Sequence, residues 1–167
     1  IRSKLLSKHI DKNTTIIHLA ALSTDSMCSK NPEEAFDVNI NGTINLVNIA
    51  NQNRAKKIIF ASTEWVYGNN TEKKSQIESQ KISLSKLDSL YALTKAIGEK
   101  IVSNKKNLFK HVILRFGIVY GERKKNFSAV ESISQNCYKN KNIFVGAKKT
   151  SRRYIHVKDI VQSIISS

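Results

Sequence analysis

The sequence is short of several things, and each shortage excludes a class of protein. It has only two cysteines, Cys28 and Cys137, far apart and without a C-x-x-C pair, so reduced thiols are expected rather than a disulfide framework or a thiolate metal site. The histidines form no H-E-x-x-H, and no metal centre is expected. One proline and no glycine-rich or proline-rich stretch leave no linker between domains. No apolar run approaches bilayer-spanning length, and the opening "IRSKLLSKHIDK" carries charges where a secretory signal keeps an unbroken apolar stretch. The expected location is the cytoplasm. The glycines, at 42, 68, 98, 117, 121 and 146, nowhere take a G-x-G-x-x-G or G-x-x-G-x-x-G spacing, so the turn that cradles a pyrophosphate at a helix N-terminus is missing. The first residue is Ile1 rather than methionine, and we read the chain as a piece of something longer.

Acidic residues are scarce as well. Thirteen Asp and Glu face 28 Lys and Arg, a net charge of +15 over 167 residues. Most of the excess falls after residue 90, which suits an anionic partner such as a nucleotide diphosphate or a nucleic acid. The basic clusters "GERKKN" and "GAKKTSRR" have no interleaved aromatics, so nucleic-acid binding is the weaker reading and most of these charges are read as solvated.

What is present reads as one domain, or part of one, with a buried core: 40% of residues are hydrophobic and 25% charged. Short apolar segments alternate with longer ones of helical period, the pattern of a parallel sheet covered by helices. The strand candidates are 14–21 ("TTIIHLAA"), 56–62 ("KKIIFAS"), 111–116 ("HVILRF") and 142–146 ("NIFVG"). A helix starts at Asn31 and Pro32, with Glu33 and Glu34 complementing its dipole and Ala35, Val38, Gly42, Leu46 and Ile49 on its inward face. A second helix spans about 88–103, with Leu90, Leu93, Ile97 and Ile101 expected to face the core and Tyr91 and Lys95 on the neighbouring face. The polar stretch 69–85 is the longest expected loop.

Tyrosines 91, 120 and 154 each have a lysine four positions on, but only Tyr91 and Lys95 lie in a helical pattern that brings them to one face. They follow a segment, "IIFASTEWVYG", whose strand ends in Ser62 and Thr63, and ligands of parallel α/β sheets bind at the carboxyl ends of strands. A phenol titrates near 10, so making it a base at neutral pH takes roughly 4 kcal/mol. An ammonium about 4 to 6 Å away supplies approximately 3 to 4 kcal/mol at an effective dielectric near 20. The expectation is a phenol made acidic by Lys95, with Thr63 hydrogen-bonding a substrate hydroxyl.

"HLAA", "DVNINGTINLVNIA", "IIFASTEWVYG", "YALTK", "LRFGIVYG" and "RRYIHVKDIV" occur in the order of the extended short-chain dehydrogenase/reductases. The chain resembles, more narrowly, their NAD-dependent sugar-nucleotide epimerases and dehydratases. That resemblance implies an α/β fold, a Rossmann-type doubly wound parallel sheet, here incomplete because its first strands and glycine-rich turn are absent. Residues 1–116 would be the C-terminal part of the NAD-binding domain with the catalytic segment, and 117–167 the beginning of the substrate-binding region with a returning helix. Thr63, Tyr91 and Lys95 match the catalytic residues. Ala20, Ala21, Asn39, Tyr91 and Lys95 match cofactor-binding positions, and Thr63, Glu64 and Arg152 substrate-binding ones. The implied cofactor is NAD, with NADP left open, and the implied partner a nucleotide-sugar substrate, with homodimerisation of the complete protein left open too. His18 and His156 match structural positions and are assigned no chemistry.

Some positions depart from the family pattern. Dehydratases of the family carry an acidic pair after the threonine, whereas here Glu64 is followed by Trp65, which shifts weight toward epimerisation or simple oxidoreduction. Ile118 stands where many members have an asparagine, and Glu122-Arg123 where many have Pro-Gly, so the sugar is left undefined. A non-catalytic, cofactor-sensing member of the same fold is the alternative reading.

Overall fold

The computed structural model describes residues 1, 3–68, 76–124, 128–143 and 152–167, and the chain forms two compact units, Ile1–Arg115 and Phe116–Ser167. Within the first unit, β1 (Thr15–His18), β2 (Lys57–Thr63) and β3 (Lys110–Phe116, up to Arg115 in this unit) form a sheet in the order β1-β2-β3. β1 and β2 are parallel, with Thr15 opposite Lys57 and His18 opposite Phe60. The strands expected at 14–21, 56–62 and 111–116 are all present. The candidate at 142–146 lies partly outside the described residues, as does the first part of the long polar stretch, 69–75.

Between β1 and β2 the chain is almost wholly helical: α1 (Asp25–Lys30), α2 (Pro32–Phe36), a π-helical turn (Asp37–Asn41) and α3 (Gly42–Gln52). Pro32 opens α2 as expected, but the Asn31 side chain caps no backbone N–H. Its amide instead donates to Glu34 Oε2 at 2.9 Å. The expected inward face is largely observed, with Ala35, Gly42, Leu46 and Ile49 buried and Val38 half-buried. The core joins Val47 and Ala50 of α3 to Ile58 and Phe60 of β2, and to Val102 and Phe109.

The helix expected at 88–103 is α4 (Leu90–Val102), capped by Ser89, whose hydroxyl accepts from Ala92 N–H. Its inward face differs from expectation. Leu90, Leu93, Ile97 and Ile101 are only half-buried, while Ala92, Thr94, Lys95, Ala96, Gly98, Glu99 and Val102 are buried. The reason is close approach. A Cβ at Gly98 would lie 2.6 Å from Phe60 Cζ, so small residues bring the helix onto β2, where Lys95 and Glu99 find partners in Ala61 and Ser62. Lys95 therefore sits on the sheet side of α4.

In the second unit β4 (Ile118–Tyr120) and β5 (Tyr154–His156) pair in parallel, with Tyr120 opposite His156, beside α5 (Ala129–Tyr138) and α6 (Val157–Ile165). Glu131 is its hub. The carboxylate accepts from Gly121 N–H at 2.9 Å and from Ser128, and pairs with Arg123 at 2.9 Å. Neither Tyr120 nor Tyr154 is helical, so Tyr91 alone has its lysine one helical turn away. Among the described residues no helix is long and apolar enough to cross a membrane.

Candidate active site

β2 ends in Ala61, Ser62 and Thr63, and the chain turns at once into a 3-10 turn, Glu64–Tyr67. Thr63 is 6% exposed and caps that turn, accepting from Trp65 N–H at 3.3 Å. Gly68 closes it at φ +74, where a Cβ would come within 2.5 Å of the Lys86 carbonyl oxygen. Beside this strand end stands the first turn of α4. Ser89 ties the turn to α1 by donating to Asp25 Oδ1 at 2.6 Å, so the Tyr91 backbone is anchored on both sides.

The side chains of Thr63, Tyr91 and Lys95 meet. Thr63 lies beside the Tyr91 phenol, close enough to favour its phenolate. The Lys95 ammonium donates to the Ala61 carbonyl at 2.8 Å and lies 5.0 Å from the Phe60 ring centre and 6.0 Å from that of Tyr91. Trp65 meets Tyr91 edge-on, with ring centres 6.4 Å apart.

The electrostatics run against the expected direction. Burial pushes the Tyr91 phenol up to about 12, and the neighbouring Cys28 adds to this while the adjacent Thr63 works the other way. Burial also pushes Lys95 down to about 8, partly offset by Cys28. The phenol is thus less acidic than in water. Removing a phenolate from solvent outweighs what its surroundings return, and the ammonium is bound to a backbone carbonyl instead of the phenol. His18, 3% exposed, is held down to about 4 by burial and by Lys95. Its Nε2 meets Thr43 Oγ1 at 2.9 Å.

The remaining expected residues fall in different places. Ala20 is exposed and Ala21 half-buried on the turn leaving β1. Asn39, expected on the cofactor, is 4% exposed and pins the next residue of that turn: its amide donates to Leu22 O at 3.1 Å and accepts from Leu22 N–H at 2.8 Å. It also donates to Thr94 Oγ1 at 3.0 Å. It holds the segment from behind, as a buried amide with both ends engaged. Glu64 is half-buried next to Thr63, and Arg152 is exposed in the second unit.

A buried ionic network beneath the site escaped the sequence reading. Ser62 donates to Glu99 Oε1 at 2.5 Å, and Arg115 grips both Glu99 oxygens at 2.9 and 2.7 Å. Arg115 also donates to the Tyr67 hydroxyl at 3.0 Å. Glu99 lies one turn after Lys95 on the same buried face, and that spacing was the available signal.

Residues 2–166 match the model of the NAD-dependent epimerase/dehydratase family. The chain belongs to that family. Among curated epimerases it is 33% identical to UDP-glucuronate 4-epimerase 1 of Arabidopsis thaliana, over 99% of this chain and 40% of the relative. It is 31% identical to a putative UDP-glucose 4-epimerase of Methanocaldococcus jannaschii, over 98% of this chain and 55% of that one. Solved epimerases superpose closely. The UDP-N-acetylglucosamine 4-epimerase from Methanobrevibacter ruminantium, in complex with UDP-N-acetylmuramic acid, gives a TM-score of 0.85 at 25% identity, covering 99% of this chain and 56% of that one. The Thermus thermophilus UDP-glucose 4-epimerase, in complex with NAD, gives 0.80 at 27% identity, covering 92% and 52%. The chain thus has the Rossmann-type α/β architecture of these epimerases and spans roughly half their length.

Proposed function

We propose that the protein to which this chain belongs epimerises a nucleotide sugar with NAD, and that Tyr91 is the group that takes and returns the carbinol proton. The observation that carries this is the meeting of Thr63, Tyr91 and Lys95 at the carboxyl end of β2. A hydroxyl beside a phenol defines where a third hydroxyl, the substrate's, can hydrogen-bond to both. Epimerisation is favoured over loss of water because Trp65 stands where a second acid would be needed.

The residues present fit one end of the cofactor. Lys95 and the Tyr91 hydroxyl are donors of the kind that ribose hydroxyls accept, and the short side chains of Ala20 and Ala21 leave backbone open at the end of β1. The pyrophosphate end would require closely spaced glycines, which this sequence does not contain. NAD, when bound, supplies a hydride acceptor and a positively charged ring. The chain's own part is to place the phenol beside Thr63 and to keep the buried ammonium fixed on Ala61, shielded from water.

The test is Tyr91→Phe. Nucleotide binding should persist in the variant while turnover of UDP-glucose or UDP-glucuronate by the protein containing this chain falls by at least about a hundredfold. Undiminished turnover would reject Tyr91 as the proton-transferring group.

A further inference from the structure

We propose that Trp65 is the sugar platform of this site, the side chain against which the pyranose of a nucleotide sugar lies and by which it is selected. This rests on the reading of Tyr91 as the residue facing the substrate. Trp65 is 38% exposed, although its neighbours Thr63 and Val66 are 6% and 0% exposed. Its ring meets the Tyr91 ring edge-on at an interplanar angle of 73° with centres 6.4 Å apart, so a ligand held at the phenol lies within reach of a partly exposed indole. The C–H groups of a pyranose are apolar and weakly positive at their edges, which complements the negative face of an indole.

The backbone that carries the indole is also held in place. Thr63 Oγ1 accepts from the Trp65 backbone N–H, Val66 is locked in the core, and Arg115 fixes Tyr67 both through the hydroxyl and from 4.9 Å over its ring. A platform anchored on both sides loses little freedom when a ligand settles on it. An acid in its place would read hydroxyls and could transfer protons. The indole does not ionise at working pH; it contributes shape, stacking and one N–H donor, and cannot take a proton from the substrate.

Trp65 is the only tryptophan in the sequence, so its fluorescence reports on this site directly. UDP-glucose should change the emission of the wild-type chain, whereas UDP alone should leave it nearly constant. By calorimetry, Trp65→Ala should weaken UDP-glucose binding about five- to tenfold and leave UDP binding unchanged, while Trp65→Phe should stay within about threefold of wild type. Equal UDP-glucose affinity in wild type and Trp65→Ala would overturn the platform and leave the catalytic reading standing. Parallel loss of UDP and UDP-glucose binding would make Trp65 a structural residue and overturn it too. Failure of the protein containing this chain to bind either UDP-glucose or UDP-glucuronate would overturn the catalytic reading and the platform together.

Discussion

Lys95 donates its ammonium proton to the carbonyl of Ala61 at 2.8 Å, so the residue expected to acidify a phenol is tied first to the backbone of the strand that carries Thr63. The bond answers a burial problem. An ammonium only 4% exposed needs a partner, and the carbonyl supplies one without neutralising the charge. The cation is therefore a fixed part of the site, with donors to spare.

That arrangement has a cost that depends on pH. The folded state lowers Lys95 from 10.5 to about 8, so between those values the unfolded chain holds more protons and stability rises with pH. Lys95→Met should raise the unfolding free energy at pH 7 by about 1–2 kcal/mol, after allowing for the lost hydrogen bond. Urea unfolding should show the gain shrinking as pH climbs from about 8 toward 10.5.

Tyr91 shifts the opposite way. Its phenol should titrate near 12 in the chain alone, seen as the difference in phenolate absorbance between wild type and Tyr91→Phe. Thr63→Val, which removes the one interaction that favours the phenolate, should push it higher. A Tyr91 titrating at or below 10 would refute the burial argument.

His18 governs the acid side. Its value falls from 6.5 to about 4 on folding, so the unfolded chain takes up the proton first and stability is lost as pH drops through that interval, by roughly 3 kcal/mol in all. His18→Leu should flatten the profile between pH 6.5 and 4 in urea unfolding followed by circular dichroism.

Glu99 and Arg115 make a separate prediction. Glu99→Ala leaves the partly buried Arg115 guanidinium and the buried Ser62 hydroxyl without their carboxylate and should cost about 3 kcal/mol. Replacing both, as Glu99→Leu with Arg115→Met, should recover most of that loss in the same urea assay.

These particulars mark how far the sequence could be read. Tyr91, Lys95 and Thr63 were legible because two local periods, the helix turn and the strand end, place them without any knowledge of the rest. The buried face of α4 was not, because counting apolar residues selects Leu90, Leu93, Ile97 and Ile101, while the helix approaches β2 through Ala92, Gly98 and polar side chains whose partners lie far off in sequence. Ser62 is 37 positions from Glu99, and Glu99 is 16 from Arg115. The direction of the Tyr91 shift was hidden for the same reason: attraction to a nearby lysine follows from spacing, but desolvation follows only from the folded surroundings. Asn39 was found as a residue of interest, while its engagement with Leu22 and Thr94 required the packed structure.

Gly98 lies about two helical turns from Tyr91, and its bare Cα nests against Phe60. That contact works as a fulcrum. With the rod seated there, rolling or sliding it would swing the hydroxyl at its far end away from the strand tip, so a single methyl group placed at the pivot would misalign the phenol without touching it.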